Sequence, residues 1–152
     1  MYQTRTQGYS KNDPVKRWAL PDRVFFACGA CHILAWVFFE QYPDQKATPL
    51  WFCPGDGYIG SHIVVASDNW IFDYHGFSCR EKYIEHTIKG AQRKWRGWHA
   101  SLVELPKEVL VSEKLSRNYI GLWLREPNQF LHNALPRARK FLGRFPPPPK
   151  LS

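Results

Sequence analysis

The sequence predicts an α+β fold in which a buried helix packs on an antiparallel sheet. Two observations support this class. The apolar run 33–39 follows the cysteine turn 28–31 and would place apolar side chains on every side of a helix, as in helices buried within a core. Residues 61–75 have the pattern of one β-hairpin, with alternating side chains on its two faces. With 152 residues, the chain is long enough for one substantial hydrophobic core.

The N-terminal half surrounds this helix with turns and one further strand. Residues 1–22 are polar and rich in turn signals, which predicts an irregular N-terminal arm. The helix is expected to extend to about Gln41, because Tyr-Pro-Asp at 42–44 stops it. A short strand is predicted over 48–53. The Pro-Gly-Asp-Gly sequence at 54–57 is a turn, since proline fixes φ and glycine permits positive φ.

The C-terminal half is predicted to contain both helices and strands. The expected elements are a helix over 80–88, a strand over 98–103, a short helix over 106–119, and a helix over 128–142 that Pro136 bends. The proline run makes 145–152 an extended polyproline tail. The sequence shows neither an internal repeat nor a second domain, so 1–152 is predicted to be a single catalytic domain.

The composition is that of a globular protein. Aromatic residues make up 16% of the chain, and no apolar run reaches the ~18–20 residues that a bilayer-spanning helix requires. The first residues lack the apolar core of a signal peptide. We therefore expect a cytoplasmic protein that acts as a monomer and does not associate with a membrane.

The net charge of +8 is concentrated in two basic stretches, 89–96 and 137–144. The first contains tryptophan beside arginine and lysine, a combination that can bind nucleic acid by charge and stacking. A solvated basic surface is the simpler interpretation, so nucleic acid is not the partner we expect. A basic, aromatic-rich module that binds RNA or an acidic protein without catalysis remains the non-enzymatic alternative.

Four cysteines lie at positions 28, 31, 53 and 79. In a chain of this size without an export signal, free thiols are expected rather than disulfides. The turn 28–32 spells the Cys-x-x-Cys-His sequence of covalent haem attachment. Such attachment belongs to exported proteins, and the only methionine is Met1, so the usual second axial ligand is missing. We therefore do not expect haem.

The spacing of Cys28 and Cys31 also fits one half of a zinc site. The remaining ligands would come from Cys53, Cys79, His62 or His75. The sequence contains no second closely spaced pair, so the chain is predicted to hold neither a metal nor another cofactor.

A catalytic thiol is the interpretation that the hairpin favours. Cys31 begins the buried helix, where unpaired backbone N–H groups and the helix dipole stabilise a thiolate. If the hairpin turn has an even number of residues, His62 and Asp73 lie on the same face, directly opposite or diagonal to each other. Brought together, the three side chains form a triad for nucleophilic thiol chemistry.

Two other residues compete for these roles. Cys28 is the rival nucleophile, but it precedes Gly29 outside the helix, so the helix dipole favours its thiolate less. His75 shares the predicted face of His62 and could replace it or contact the substrate.

The motifs resemble those of a known superfamily. Cys-Gly-Ala-Cys at 28–31 is similar to the Cys-Gly-[Ser/Ala]-Cys turn of papain-like peptidases, in which the second cysteine attacks the substrate. The close order of cysteine, histidine and aspartate is similar to the transglutaminase-like branch. Within that branch, Pro-Leu-Trp, Pro-Gly-Asp-Gly, His-Ile-Val-Val and Ile-Phe-Asp-Tyr resemble the protein N-terminal glutamine amidohydrolase family, over roughly residues 27–112.

The resemblance implies a thiol-dependent amidohydrolase that deamidates glutamine in a peptide or protein substrate. Cys31 would attack as the thiolate, His62 would transfer the proton, and Asp73 would orient the imidazole. Asp56 would then bind the ammonium of an N-terminal glutamine, and His32 would line the cleft.

The chain departs from the papain-like pattern at Phe25, where those enzymes have a glutamine. The backbone N–H of Cys31 supplies one oxyanion donor, and Tyr9, Asn12 or a tryptophan N–H are the candidates for a second. The same acyl-enzyme could form by cleavage of a peptide bond, and its acyl group could be transferred to an amine instead of water. A cysteine peptidase and an acyl or glutaminyl transferase therefore remain open alternatives.

Overall fold

A five-stranded antiparallel sheet separates a large and a small hydrophobic layer in the computed structural model, which describes residues 13–150. The helices are α1 (Pro14–Trp18), α2 (Asp22–Ala27), α3 (Cys31–Gln41), α4 (Arg80–Lys94), α5 (Glu113–Ser116) and α6 (Ala134–Leu142). The strands are β1 (Thr48–Pro54), β2 (His62–Ala66), β3 (Trp70–Asp73), β4 (Gly76–Cys79) and β5 (Ala100–Glu104). Two 3₁₀ helices cover Lys107–Val111 and Pro127–Gln129. The predicted α+β class is confirmed.

The strand order across the sheet is β4-β3-β2-β1-β5, and neighbouring strands are antiparallel. β1 to β4 follow one another along the chain, whereas β5 arrives after α4 and pairs with the outer edge of β1. The predicted strand over 98–103 is therefore shifted to Ala100–Glu104. β4 was not predicted from the sequence. It forms because Gly76, with a φ of +97°, turns the chain back onto β3.

α3 lies within the main core between the sheet and helices α2 and α6, as its apolar run predicted. It packs against β2, α2, α6 and the first 3₁₀ helix. Phe38 is fully buried, and its ring lies 5.1 Å from that of Phe72 and 5.8 Å from that of Trp70, measured between centroids. Burial of one such ring contributes about 1.5–3 kcal/mol to stability. The sheet and α3 are therefore held in one relative position.

The β2–β3 hairpin has the even-numbered turn on which the site prediction depended. Val65 pairs with Phe72, which leaves 68–69 as a two-residue loop. This register places Asp73 on the same face as His62 and diagonal to it, as predicted. The side chains that alternate with them enter the main core, and these are Ile63, Val65, Trp70, Phe72 and Tyr74.

The predicted irregular arm over 1–22 is wrong for its described part. The Asp13 carboxylate accepts hydrogen bonds from the N–H groups of Val15 and Lys16, at 3.1 and 3.0 Å, and so caps α1. Pro14 occupies the first helical position, where an N–H is not needed. The turn signals in this segment therefore mark a helix start. Residues 1–12 lie outside the described residues.

α4 continues to Lys94, beyond the predicted helix over 80–88. Its buried and half-buried residues recur at Tyr83, Thr87 and Ala91, one helical turn apart, so the face toward the sheet extends past residue 88. With 15 residues, α4 is the longest helix of 13–150, and no helix in this range is long and apolar enough to cross a membrane.

Both predicted helices further along the chain are shorter than expected. The segment 106–119 is divided into a 3₁₀ helix and α5, because the Ser112 hydroxyl accepts the Leu115 N–H and caps a new helix start. The helix predicted over 128–142 begins only with α6. Pro136 lies in its first turn, where proline has no hydrogen bond to break and causes no bend.

The predicted tail over 145–152 is wrong at its first residue. The Phe145 ring packs against the rings of Phe72 and Phe141, at centroid distances of 5.4 and 5.3 Å, so this residue belongs to the core. Residues 146–150 form neither helix nor strand. Residues 151–152 are outside the described part of the chain.

Candidate active site

The turn 28–31, which leads into α3 and is called the nucleophile turn below, contains a glycine in the left-handed conformation. Gly29 has a φ of +99°, which lets the chain leave α2 at Cys28 and enter α3 at Cys31. Because Cys31 is the first helical residue, its backbone N–H has no acceptor within the helix. Cys31 therefore lies at the positive end of the α3 helix dipole, as predicted.

His62 and Asp73 are in contact at one end of the hairpin. His62 Nε2 lies 3.2 Å from Asp73 Oδ2, and both residues are 4% exposed. Asp73 Oδ1 accepts the backbone N–H of His75 at 2.8 Å, and Oδ2 accepts the Tyr83 hydroxyl at 2.5 Å. These donors hold the carboxylate in one position. Because the carboxylate engages Nε2 of His62, Nδ1 is the ring nitrogen left for the thiol.

The Cys31 thiol is ionised at neutral pH. Burial by itself raises the pKa of this thiol, but hydrogen bonds and charge from His32 and His62 outweigh burial and lower the pKa from 9.0 to about 5. Burial also lowers the pKa of His62, whereas the hydrogen bond to Asp73 and the interaction with Cys31 raise it to about 9. Between these two pH values the pair consists of a thiolate and an imidazolium.

Hydrogen bonds keep Asp73 ionised despite its burial. Burial raises the pKa of this carboxyl, but the hydrogen bonds from His62, His75 and Tyr83 outweigh it, so that the pKa is lowered. Burial, and then the charge of Asp73, raise the pKa of Tyr83. The Tyr83 hydroxyl therefore stays protonated and donates to the carboxylate.

The thiol faces a cavity of about 390 Å³. The walls include Cys31 and His32 of α3, His62 of β2, Arg17 of α1 and the loop 121–125. The tryptophan of this loop is 60% exposed and provides an apolar surface at the edge of the cavity. The space is sufficient for a side chain or a short segment of a peptide.

His32 lies in the cavity wall, where the sequence placed it. Its Nε2 lies 2.6 Å from the carbonyl oxygen of Arg125. The same ring interacts with the Cys31 thiol. His32 therefore joins the start of α3 to the loop 121–125 that forms the opposite wall.

His75 and Asp56 lie apart from the thiol. His75 Nδ1 is 3.7 Å from Asp73 Oδ1, and its ring lines a second cavity of about 400 Å³ that also borders His62. Asp56 is exposed on the turn after β1 and does not line the cavity at Cys31. The structure thus brings the three triad residues together and leaves Asp56 outside the cavity.

One of the candidates for a second oxyanion donor lies at the cavity. Tyr9 and Asn12 lie outside the described residues. Phe25 is fully buried in the main core. Trp123 lines the cavity, so its indole is the tryptophan candidate that the structure places near the thiol.

Sequence reasoning missed two side chains of the site. Tyr83 reaches Asp73 from α4, and Arg17 is 5% exposed and lines the cavity beside Gly29. The helical spacing from Tyr83 to the buried Thr87 was a signal that Tyr83 faces the sheet. The sequence contains no comparable signal for Arg17, because only the packing of α1 buries it.

The other three cysteines have different surroundings. None of the four forms a disulfide. Burial, and then the charge of Asp56, raise the pKa of Cys53. Cys79 is exposed, and Cys28 is half-buried at the end of α2. Within 13–150, no group of three or more His, Cys, Asp or Glu is arranged to hold a metal ion.

The chain matches no protein-family model, no curated protein and no solved structure. The functional conclusion therefore rests on the geometry of the triad and of its cavity.

Proposed function

We propose that this protein is a cysteine-dependent hydrolase of amide bonds that uses Cys31, His62 and Asp73 as a catalytic triad. One observation carries the proposal: a buried imidazole links a thiol of lowered pKa to an ionised carboxylate. The thiol also begins a helix that packs on an antiparallel sheet. This arrangement is in keeping with the papain-like and transglutaminase-like superfamily that the motifs resemble.

The reaction begins when the Cys31 thiolate attacks the carbonyl carbon of a bound amide. The backbone N–H of Cys31 stabilises the negative charge that develops on the carbonyl oxygen. The His62 imidazolium then donates its proton to the departing nitrogen, so that ammonia or an amine leaves and a thioester remains. Asp73 keeps the ring oriented and stabilises its charged form.

Water completes the cycle. Neutral His62 removes a proton from a water molecule, the resulting hydroxide attacks the thioester carbonyl, and the Cys31 thiolate leaves. The first step needs the thiolate, which is lost below a pH of about 5, and the imidazolium, which is lost above about 9. Activity is therefore expected to rise through the first value and to fall through the second.

Glutamine side chains in peptides or proteins are the first substrates to test. Their carboxamide nitrogen leaves as ammonia, and the resemblance to N-terminal glutamine amidohydrolases supports the choice. The cavity is large enough for such a side chain. We expect the reaction to take place in the cytoplasm.

Ammonia release from peptides that begin with glutamine tests the proposal. The native protein should release ammonia, whereas Cys31→Ala and His62→Ala should not. Cys79→Ala, which removes an exposed thiol, is the matched control and should retain full activity. Iodoacetamide followed by peptide mapping should label Cys31 before the other cysteines.

Other outcomes would point to other reactions. Cleavage of a peptide bond without ammonia would indicate a peptidase, and incorporation of an added amine would indicate a transferase. If Cys31→Ala were as active as the native protein, the triad would be the wrong site. RNA binding that falls steeply with salt, and is unchanged in Cys31→Ala, would favour the binding module.

A further inference from the structure

Arg17 places a buried cation in the wall of the cavity that contains the nucleophile. The residue is 5% exposed and lines this cavity together with Cys31. Its guanidinium packs against Gly29, where an added Cβ would overlap Nη2. Gly29 is two residues before Cys31 in the same turn, so the missing side chain at 29 makes room for the cation beside the nucleophile turn.

A second arginine lines the same cavity. Arg125 belongs to the loop 121–125, which His32 joins to α3. The guanidinium carbons of Arg17 and Arg125 each lie 5.7 Å from the centroid of the Phe130 ring. Both cations therefore contact the same aromatic ring, which helps to fix their positions in the wall.

The lining of this cavity carries positive charge. The Cys31 thiolate and the His62 imidazolium offset each other, so the two guanidinium groups are the excess charge, and no Asp or Glu of the described residues lines the cavity. Charges of one sign within low-dielectric walls focus the electric field and attract ligands of the opposite sign. A carboxylate beside the two guanidinium groups would be attracted, whereas an ammonium group at the same position would be repelled.

We propose that Arg17 and Arg125 bind an anionic group of the substrate, so that Cys31 attacks an amide in a molecule that carries a carboxylate close by. This inference rests on the proposed function and narrows its substrate class. Guanidinium groups bind carboxylates through paired N–H donors in one plane. Glutamine with a free α-carboxylate, as at the C-terminus of a peptide, therefore fits better than glutamine with a free ammonium.

Alkylation of Cys31 by iodoacetate and by iodoacetamide tests the inference without a known substrate. In both reactions the thiolate sulfur bonds to the CH₂ carbon, and iodide leaves with its electron pair. The reagents have nearly the same size, but iodoacetate carries a carboxylate where iodoacetamide carries a neutral amide. The ratio of their two rates at Cys31, measured by peptide mapping, therefore reports the attraction of the cavity for an anion.

Removing either arginine should lower this ratio of iodoacetate to iodoacetamide rates. Arg17→Gln and Arg125→Gln should each lower it by about three- to tenfold at low salt. In Arg17→Lys the ratio should stay close to the native value, since the positive charge remains. Arg93→Gln, which removes an exposed arginine on α4, is the control and should leave the ratio unchanged.

The possible outcomes separate this inference from the proposed function. An unchanged ratio in Arg17→Gln and Arg125→Gln would overturn the inference and leave the thiol chemistry standing. Equal slowing of both reagents would also overturn it, because the arginines would then act on the thiolate and not on the anion. If Arg17→Gln does not fold, the half-buried Arg125 decides the question alone. A Cys31 that is inert to both reagents would overturn the proposed function itself.

Discussion

Replacement of His62 by alanine should raise the pKa of the Cys31 thiol. Burial raises this pKa in the native protein, and the hydrogen bonds and charge of His32 and His62 outweigh burial to bring it to about 5. Without His62, the pKa should move toward the ordinary value of 9.0. In the variant His32 continues to lower the pKa and burial continues to raise it, so the ordinary value of 9.0 serves as the reference for the size of the effect.

The size of the effect depends strongly on pH. At pH 5, half of the native thiol is ionised, compared with about one molecule in 10⁴ for a pKa of 9.0. A thiolate of lower basicity is also a weaker nucleophile. With a Brønsted slope of about 0.4–0.5, the difference of four pKa units makes each native thiolate about 60-fold slower than a thiolate of the variant. For a variant pKa of 9.0, the alkylation rate should therefore fall by about 80-fold at pH 5 but only about twofold at pH 7.

The assay is the rate of Cys31 alkylation by iodoacetamide between pH 4 and 10. The native protein should show a first rise near a pH of about 5, which should be shifted upward in His62→Ala. His99→Ala removes an exposed histidine that lines neither cavity and should not shift the profile. A native profile that rises only near 9, or a variant profile that still rises near 5, would refute the reasoning.

Three further substitutions test the surroundings of the triad. Asp73→Asn should preserve the fold but lower kcat/KM for ammonia release by about 10²–10⁴-fold, because His62 loses its orienting carboxylate; a rate within threefold of native would contradict this. Tyr83→Phe removes one hydrogen bond to Asp73 and should lower the free energy of unfolding by about 1 kcal/mol in urea titrations, with less than tenfold loss of activity. Gly29→Ala should lower the free energy of unfolding by about 1–3 kcal/mol, because φ is +99° and the Cβ would meet Arg17; native stability would show that the turn adapts.

The arrangement of Cys31, His62 and Asp73 could be predicted from the sequence because the position of each follows from a local pattern. Cys31 stands between a glycine-containing turn and an apolar run, which together mark the start of a buried helix. His62 and Asp73 follow from the two-residue period of a hairpin, once its turn is even-numbered. The 68–69 loop satisfies that condition. Backbone geometry within one helix and one hairpin repeats reliably, so sequence spacing is sufficient for these positions.

The prediction failed where a boundary depended on a cap or on a neighbouring element. Asp13 starts α1 inside the expected arm, and Ser112 divides the expected helix over 106–119. Each of these helix starts depends on whether one side chain accepts a hydrogen bond from a nearby backbone N–H. Such local hydrogen bonds compete with the structure that the sequence pattern predicts. β4 required a partner strand, since its own short sequence has no strong pattern.

The sequence by itself determined the α+β class and the start of α3, and it placed His62 beside Asp73 on the condition of an even-numbered turn, which the structure supplies. Only the tertiary structure decided which charges surround them. Arg17 arrives from α1 and the loop 121–125 from the far end of the chain, whereas Asp56, close in sequence to the hairpin, stays outside the cavity. Spacing along one element specifies faces and registers, but the wall of a cavity is assembled from distant segments that meet only when the whole core is packed.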